Sequence, residues 1–66
     1  MKNTIRIERA IKNMTQAELA EKVDVSRQTI NAIEAAKYVP SAVLAFKIAR
    51  VFGKTADEVF ELEDGD

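Results

Sequence analysis

The chain has 66 residues, 47% of them hydrophobic and 32% charged, with a formal net charge of −1 and neither cysteine nor histidine. That length suits one small domain covering residues 1–66, near the lower limit for a core that folds without staples. Without Cys or His there are no disulfides, no usual zinc site, and neither the commonest general base nor a thiol nucleophile, so no enzyme, metal or cofactor is expected.

No signal peptide and no membrane-length apolar run is evident, so a soluble, cytoplasmic protein is expected. The charge is unevenly placed. Residues 1–40 carry seven Lys/Arg against five Asp/Glu, whereas residues 41–66 carry three against six. All six of those acids lie in the last ten residues, which contain no base. An acidic, solvated and mobile tail is the plain reading of that end.

Met1 to Thr4 is short and polar, a segment that can fray or form one strand of an edge ribbon. A first helix is expected from about Thr4 to Asn13. Ile7, Ala10, Ile11 and Met14 recur there at helical spacing, and Ile5 lies off that stripe. Thr15 opens a second helix, because Thr15-Gln16-Ala17-Glu18 fits a capping box. Leu19, Ala20 and Val23 then form its inward face. Met14 and Leu19 are placed to close a hydrophobic staple.

Asp24-Val25-Ser26 reads as a tight turn. Asp tolerates the left-handed conformation that ends a helix, and Ser26 is a strong N-cap for the next one. Two capped helices separated by about three residues make a helix-turn-helix over about 15–35. On the third helix, steps of about 100° per residue put Thr29, Ile30 and Ile33 on the buried side. Arg27, Gln28, Asn31, Ala32 and Ala35 fall on the outward side. These residue types suit the major groove, where Arg pairs with guanine, Gln and Asn pair with adenine, and Ala permits close approach.

Pro40 stops any preceding helix and Ser41 caps a fourth, from Ala42 to Phe52, with Gly53 as its C′ residue. Thr55-Ala56-Asp57-Glu58 is another capping box, followed by the apolar Val59, Phe60 and Leu62. The hydroxyls of Thr15, Ser26, Ser41 and Thr55 are thus accounted for as caps. Glu61, Glu63 and Asp64 are too loosely placed to make a metal site.

The run TQAELAEKVxVSRQTINxIE from Thr15 to Glu34, followed by KYxPS from Lys37 to Ser41, resembles the Xre/Cro/cI family of helix-turn-helix transcription regulators. LAFKIARVFG at Leu44 to Gly53 is similar to its very short members. The resemblance implies an all-α, five-helix, lambda-repressor-like DNA-binding domain, with the helix-turn-helix at helices 2 and 3 and a small two-stranded ribbon from the termini. It implies a twofold homodimer on double-stranded DNA, acting as a repressor, with no small-molecule ligand. Its DNA-binding residues would be Gln16, Ser26, Arg27, Gln28, Asn31, Lys37 and Tyr38. Gln16 would meet a phosphate and brace the recognition helix, and Arg9 with Glu34 would form an internal salt bridge. An antitoxin-like or adaptor module on the same fold is the competing expectation.

Three positions depart from the family pattern. Asp24 and Ala36 stand where Gly is usual, and Val39 replaces a common Asn or Asp. An alanine resists the left-handed conformation, so the third helix is expected to run on past Ala36. The family register points Ile5, Arg9 and Lys12 inward and puts Glu8 where an apolar residue is common. Ile7 and Ile11 are then left for a contact surface, packing on the ribbon or on a dimer mate. With Val59, Phe60 and Leu62 they are the candidate dimer residues.

Overall fold

The computed structural model describes all 66 residues. In chain order these are β1 (Lys2–Asn3), α1 (Ile5–Ile11), α2 (Gln16–Lys22), α3 (Arg27–Glu34), α4 (Ala42–Val51), α5 (Ala56–Val59) and β2 (Phe60–Glu61). The five helices and the terminal ribbon agree with the expected class. β1 and β2 pair antiparallel, Lys2 opposite Glu61 and Asn3 opposite Phe60. No helix is long and apolar enough to cross a membrane.

Side-chain oxygens start the helices as the sequence suggests. Thr15 Oγ1 accepts from the Glu18 amide and the Glu18 carboxylate accepts from the Thr15 amide, both at 3.0 Å. Ser26 and Ser41 accept from the amides of Thr29 and Leu44 at 3.1 and 3.2 Å. At α5 the Glu58 carboxylate accepts from the Thr55 amide at 2.9 Å and its hydroxyl at 3.1 Å. Thr4 stands before α1 without capping it, and its hydroxyl is buried without a partner.

The first four helices also end alike. Asn13, Asp24, Ala36 and Gly53 all have positive φ, of 53°, 60°, 59° and 68°. Each is followed by an amide that reaches back five residues, as in Lys37 N–H to Ala32 O at 2.9 Å and Lys54 N–H to Ala49 O at 3.0 Å. This is the Schellman closure, which satisfies carbonyls that the helix leaves free. It corrects the expectation that α3 runs on: α3 stops at Glu34, with Ala36 held left-handed at a cost of about 1 kcal/mol.

Ile5, Leu19, Ile30, Ile33, Ile48 and Val59 are fully buried and form the core with Ala20, Val23, Ala49, Phe52 and Phe60. In α1 the family register prevails over the apolar repeat. Ile5 is buried, whereas Ile7 and Ile11 are 60% and 72% exposed. Two ion pairs hold that register, Arg9 on Glu34 at 2.8 Å and Glu8 on Lys54 at 2.8 Å. Glu8 is therefore buried with the Lys54 ammonium against it. Lys12, expected inward, is exposed.

Two further expectations change. Val59 and Phe60 are buried in the chain's own core, so they offer no apolar area to a second copy; Ile7, Ile11 and Leu62 do. The acidic end is exposed yet folded back on itself. The Glu63 amide donates to the Asp66 carboxylate at 2.7 Å, and the Met1 ammonium lies 3.3 Å from Asp66 and 3.4 Å from Glu63.

Candidate nucleic-acid interface

The geometry of the interface begins with the turn between α2 and α3. Val23 closes α2, Asp24 takes the left-handed conformation, and the Val25 amide donates back to Ala20 O at 3.0 Å. Val25 packs against the core, and Ser26 starts α3 in a new direction. Leu19, Ala20 and Val23 of α2 then meet Ile30 and Ile33 of α3 in the core. Because Ile30 and Ile33 of α3 are both used inward, its opposite face is left to polar and small residues.

That face carries Arg27, Gln28, Asn31 and Ala35, all exposed; Ala32 is half-buried at its edge. Gln16, at the first position of α2, donates from Nε2 to Asn31 Oδ1 at 3.2 Å. This bond fixes which way the Asn31 amide points and leaves its Nδ2 hydrogens free to donate. A shallow concavity of about 480 Å³ lies between the end of α1, the start of α2 and Arg27, with Gln16 in its wall. The structure therefore brings Gln16 and Arg27 together around one depression, and Gln16 links it to Asn31 on the face of α3.

Ser26 is exposed but occupied. Its hydroxyl caps α3 and shares a second hydrogen bond with Thr29 Oγ1 at 3.0 Å. Lys37 and Tyr38 follow the left-handed Ala36 and are exposed beyond the end of α3. Neither Arg27 nor Lys37 has an anionic partner within the chain, so both keep their charge for an outside anion.

Arg9 has no such freedom. Its guanidinium donates to both Glu34 oxygens, at 2.8 and 3.0 Å, and to Met14 O at 2.8 Å. Arg6 adds a longer contact to Glu34 at 3.7 Å. The expected internal salt bridge is present, and it joins α1, the α1–α2 turn and the last residue of α3. One support was not legible in the sequence: Asn3 of β1 donates from Nδ2 to Ile33 O at 2.9 Å, so the ribbon holds a carbonyl of α3. A polar residue beside a ribbon gives no sign of a partner 30 positions away.

The capping acids carry a pH signature. The hydrogen bond from the Thr15 backbone, and then that from its side chain, hold Glu18 below its ordinary value of 4.5. Thr55 lowers Glu58 in the same way. Lys54 is raised by its hydrogen bond to Glu8.

The helix-turn-helix family model matches residues 5–59. The chain is 55% identical over 64 residues to an HTH-type transcriptional regulator of Methanocaldococcus jannaschii, covering 97% of each protein. It is 45% identical over 64 residues to the HTH-type transcriptional regulator YgzD of Bacillus subtilis, again covering 97% of each. Among solved structures it is similar to the clp gene regulator ClgR from Corynebacterium glutamicum, with a TM-score of 0.76 and 28% identity. That match covers 82% of this chain and 57% of ClgR, so this chain spans little more than half of the longer regulator.

Proposed function

The chain belongs to the Xre-like helix-turn-helix family, and we propose that it is a sequence-specific double-stranded DNA-binding regulator. In this reading it is a homodimeric repressor that lays α3 in the major groove of palindromic half-sites and blocks promoter access. The observation that carries the reading is the exposed trio Arg27, Gln28 and Asn31 on one face of α3, with Asn31 braced by Gln16. A solvated helix face has no need of such bracing. Groove recognition does, because a fixed donor and acceptor pattern is what distinguishes one base pair from another.

Positioning and reading fall to different residues. Arg27, Gln28 and Asn31 read base edges. Gln16, Lys37 and Tyr38 meet the phosphates that set the register, and Ser26 contributes from its cap position. The six acids of the last ten residues face away from the duplex. Twofold symmetry also suits the size of the chain. A domain this small makes few base contacts alone, and a second copy one helical turn along doubles them.

Selection of bound sites from a random duplex pool tests the proposal. A palindrome with its half-sites about one turn apart is the expected result. Affinity should also fall steeply with salt as counterions return to the phosphates. An affinity that ignores salt, with no enriched sequence, would sink the DNA reading in favour of a protein-interaction module.

A further inference from the structure

One face of α4 is unaccounted for by the core or by the DNA-facing surface. Val43 and Phe46 are each 63% exposed, at the spacing that aligns them on one side of the helix. With Lys47 and Arg50 they line a shallow depression of about 200 Å³ that is open to solvent. Neither cation has an ion-pair partner within the chain. Large exposed apolar residues bordered by charge mark a contact surface more often than a solvated one.

The chain carries the complement of this face in its own tail. Leu62 is 76% exposed, the most exposed of the large apolar residues. It lies between Glu61 and Asp64, two exposed acids that also lack an ion-pair partner. Both surfaces are open at once, so the tail does not cover α4 of the same chain.

We propose that the tail of one copy docks on α4 of a second copy, Leu62 entering the cavity beside Val43 and Phe46 while Glu61 and Asp64 meet Lys47 and Arg50. The proposal rests on the homodimer reading above and names its interface. Charge complementarity selects a second copy over an unrelated partner, because the apolar side chain and both signs of charge come from one sequence. An isologous pair uses the contact twice, tail to helix and helix to tail. That doubling is needed: a stable interface takes about 800 Å² per partner, from a chain whose whole surface is 4514 Å². Ile7 and Ile11 make another exposed apolar pair, but of the cations beside them Arg6 is already drawn to Glu34 at 3.7 Å, which leaves Lys12 alone to meet an acidic tail.

Sedimentation of the full chain without DNA tests the assignment. The wild-type chain should be a dimer whose dissociation constant rises with salt. Lys47→Glu with Arg50→Glu should raise that constant about tenfold or more, since repulsion replaces attraction twice over. Adding Glu61→Lys and Asp64→Lys should restore it to within about threefold. Leu62→Ala should weaken the dimer, Ile11→Lys should not, and circular dichroism should report every variant folded. A dimer indifferent to the first reversal, or one dissolved by Ile11→Lys, overturns this interface and leaves the twofold reading standing. Loss without rescue by the swapped charges removes the tail as the occupant. A chain that is monomeric at every concentration overturns the homodimer reading itself.

Discussion

Arg9 and Glu34 face each other through two nearly parallel hydrogen bonds of 2.8 and 3.0 Å, and the Glu34 side chain is only 1% exposed. Twenty-five residues apart, they fix where α1 lies against the end of α3. Removing one partner of a buried pair strands the other charge, which costs about 3–5 kcal/mol. Arg9→Met should therefore cost about 3 kcal/mol, a large part of a small domain's stability. The joint change Arg9→Met with Glu34→Leu should recover most of that loss. Urea unfolding of Arg9→Met, Glu34→Leu and the double variant gives the coupling directly; simple additivity would show that the pair is not a unit.

Ala36 has a left-handed backbone that only glycine adopts without strain. Ala36→Gly should stabilise the chain by roughly 0.5–1 kcal/mol, after allowance for the greater freedom of glycine in the unfolded chain. In a domain of this size that is a rise of a few degrees in Tm. A lower melting temperature would show that the strain is relieved in some other way.

On cognate DNA, Arg27→Ala and Gln28→Ala should each cost about 1–3 kcal/mol and broaden the accepted sequence at one position. Lys37→Ala should weaken all duplexes alike and flatten the salt slope by about one unit. Binding titrations on cognate and scrambled duplexes separate the two cases. Equal losses on both for Arg27 and Gln28 would make them backbone contacts only.

Gln16→Ala removes the donor that aims Asn31 but leaves the core intact, since Gln16 and Asn31 meet at the surface. The base preference under Asn31 should blur while the fold is unchanged. Asn31→Ala made in the Gln16→Ala background should then cost less than it does alone. Independent effects of the two changes would mean that the observed bond plays no part in recognition.

Glu18 and Glu58 are both held below 4.5 in the folded chain by bonds from Thr15 and Thr55. A lowered folded value means that the unfolded chain binds protons first as the pH falls. The stability these acids contribute is complete above pH 4.5 and is lost as the pH drops through their depressed values. Glu18→Gln with Glu58→Gln should flatten the acid limb of a stability-versus-pH curve. An unchanged limb would assign acid sensitivity to other carboxylates.

Local chemistry was the part of this fold that could be read in advance. The Thr15 and Ser26 caps, the left-handed Asp24 and the inward Ile30 and Ile33 each depend on neighbours within one helical turn. Periodicity misplaced α1, because Ile7, Ala10 and Ile11 make a tidier stripe than the residues that are anchored. What decides the register is remote: Glu34 for Arg9, and Lys54 for Glu8. Ala36 misled for a related reason. Its intrinsic preference opposes the conformation it holds, and two backbone bonds, to Ile33 and from Lys37 to Ala32, override that preference. At the candidate interface residue types were visible, but the Gln16–Asn31 bond required the angle between α2 and α3.

The Asn3 side chain, bonded to the Ile33 carbonyl, has a consequence for how the protein is made. Asn3 is held in place by pairing with Phe60, so its support waits on a residue made long after α3 itself. A nascent chain can form both helices around the turn and still lack that anchor. The end of α3 is therefore fastened only after Phe60 has emerged, and a product ended before Phe60 would carry α3 with its far end unfastened.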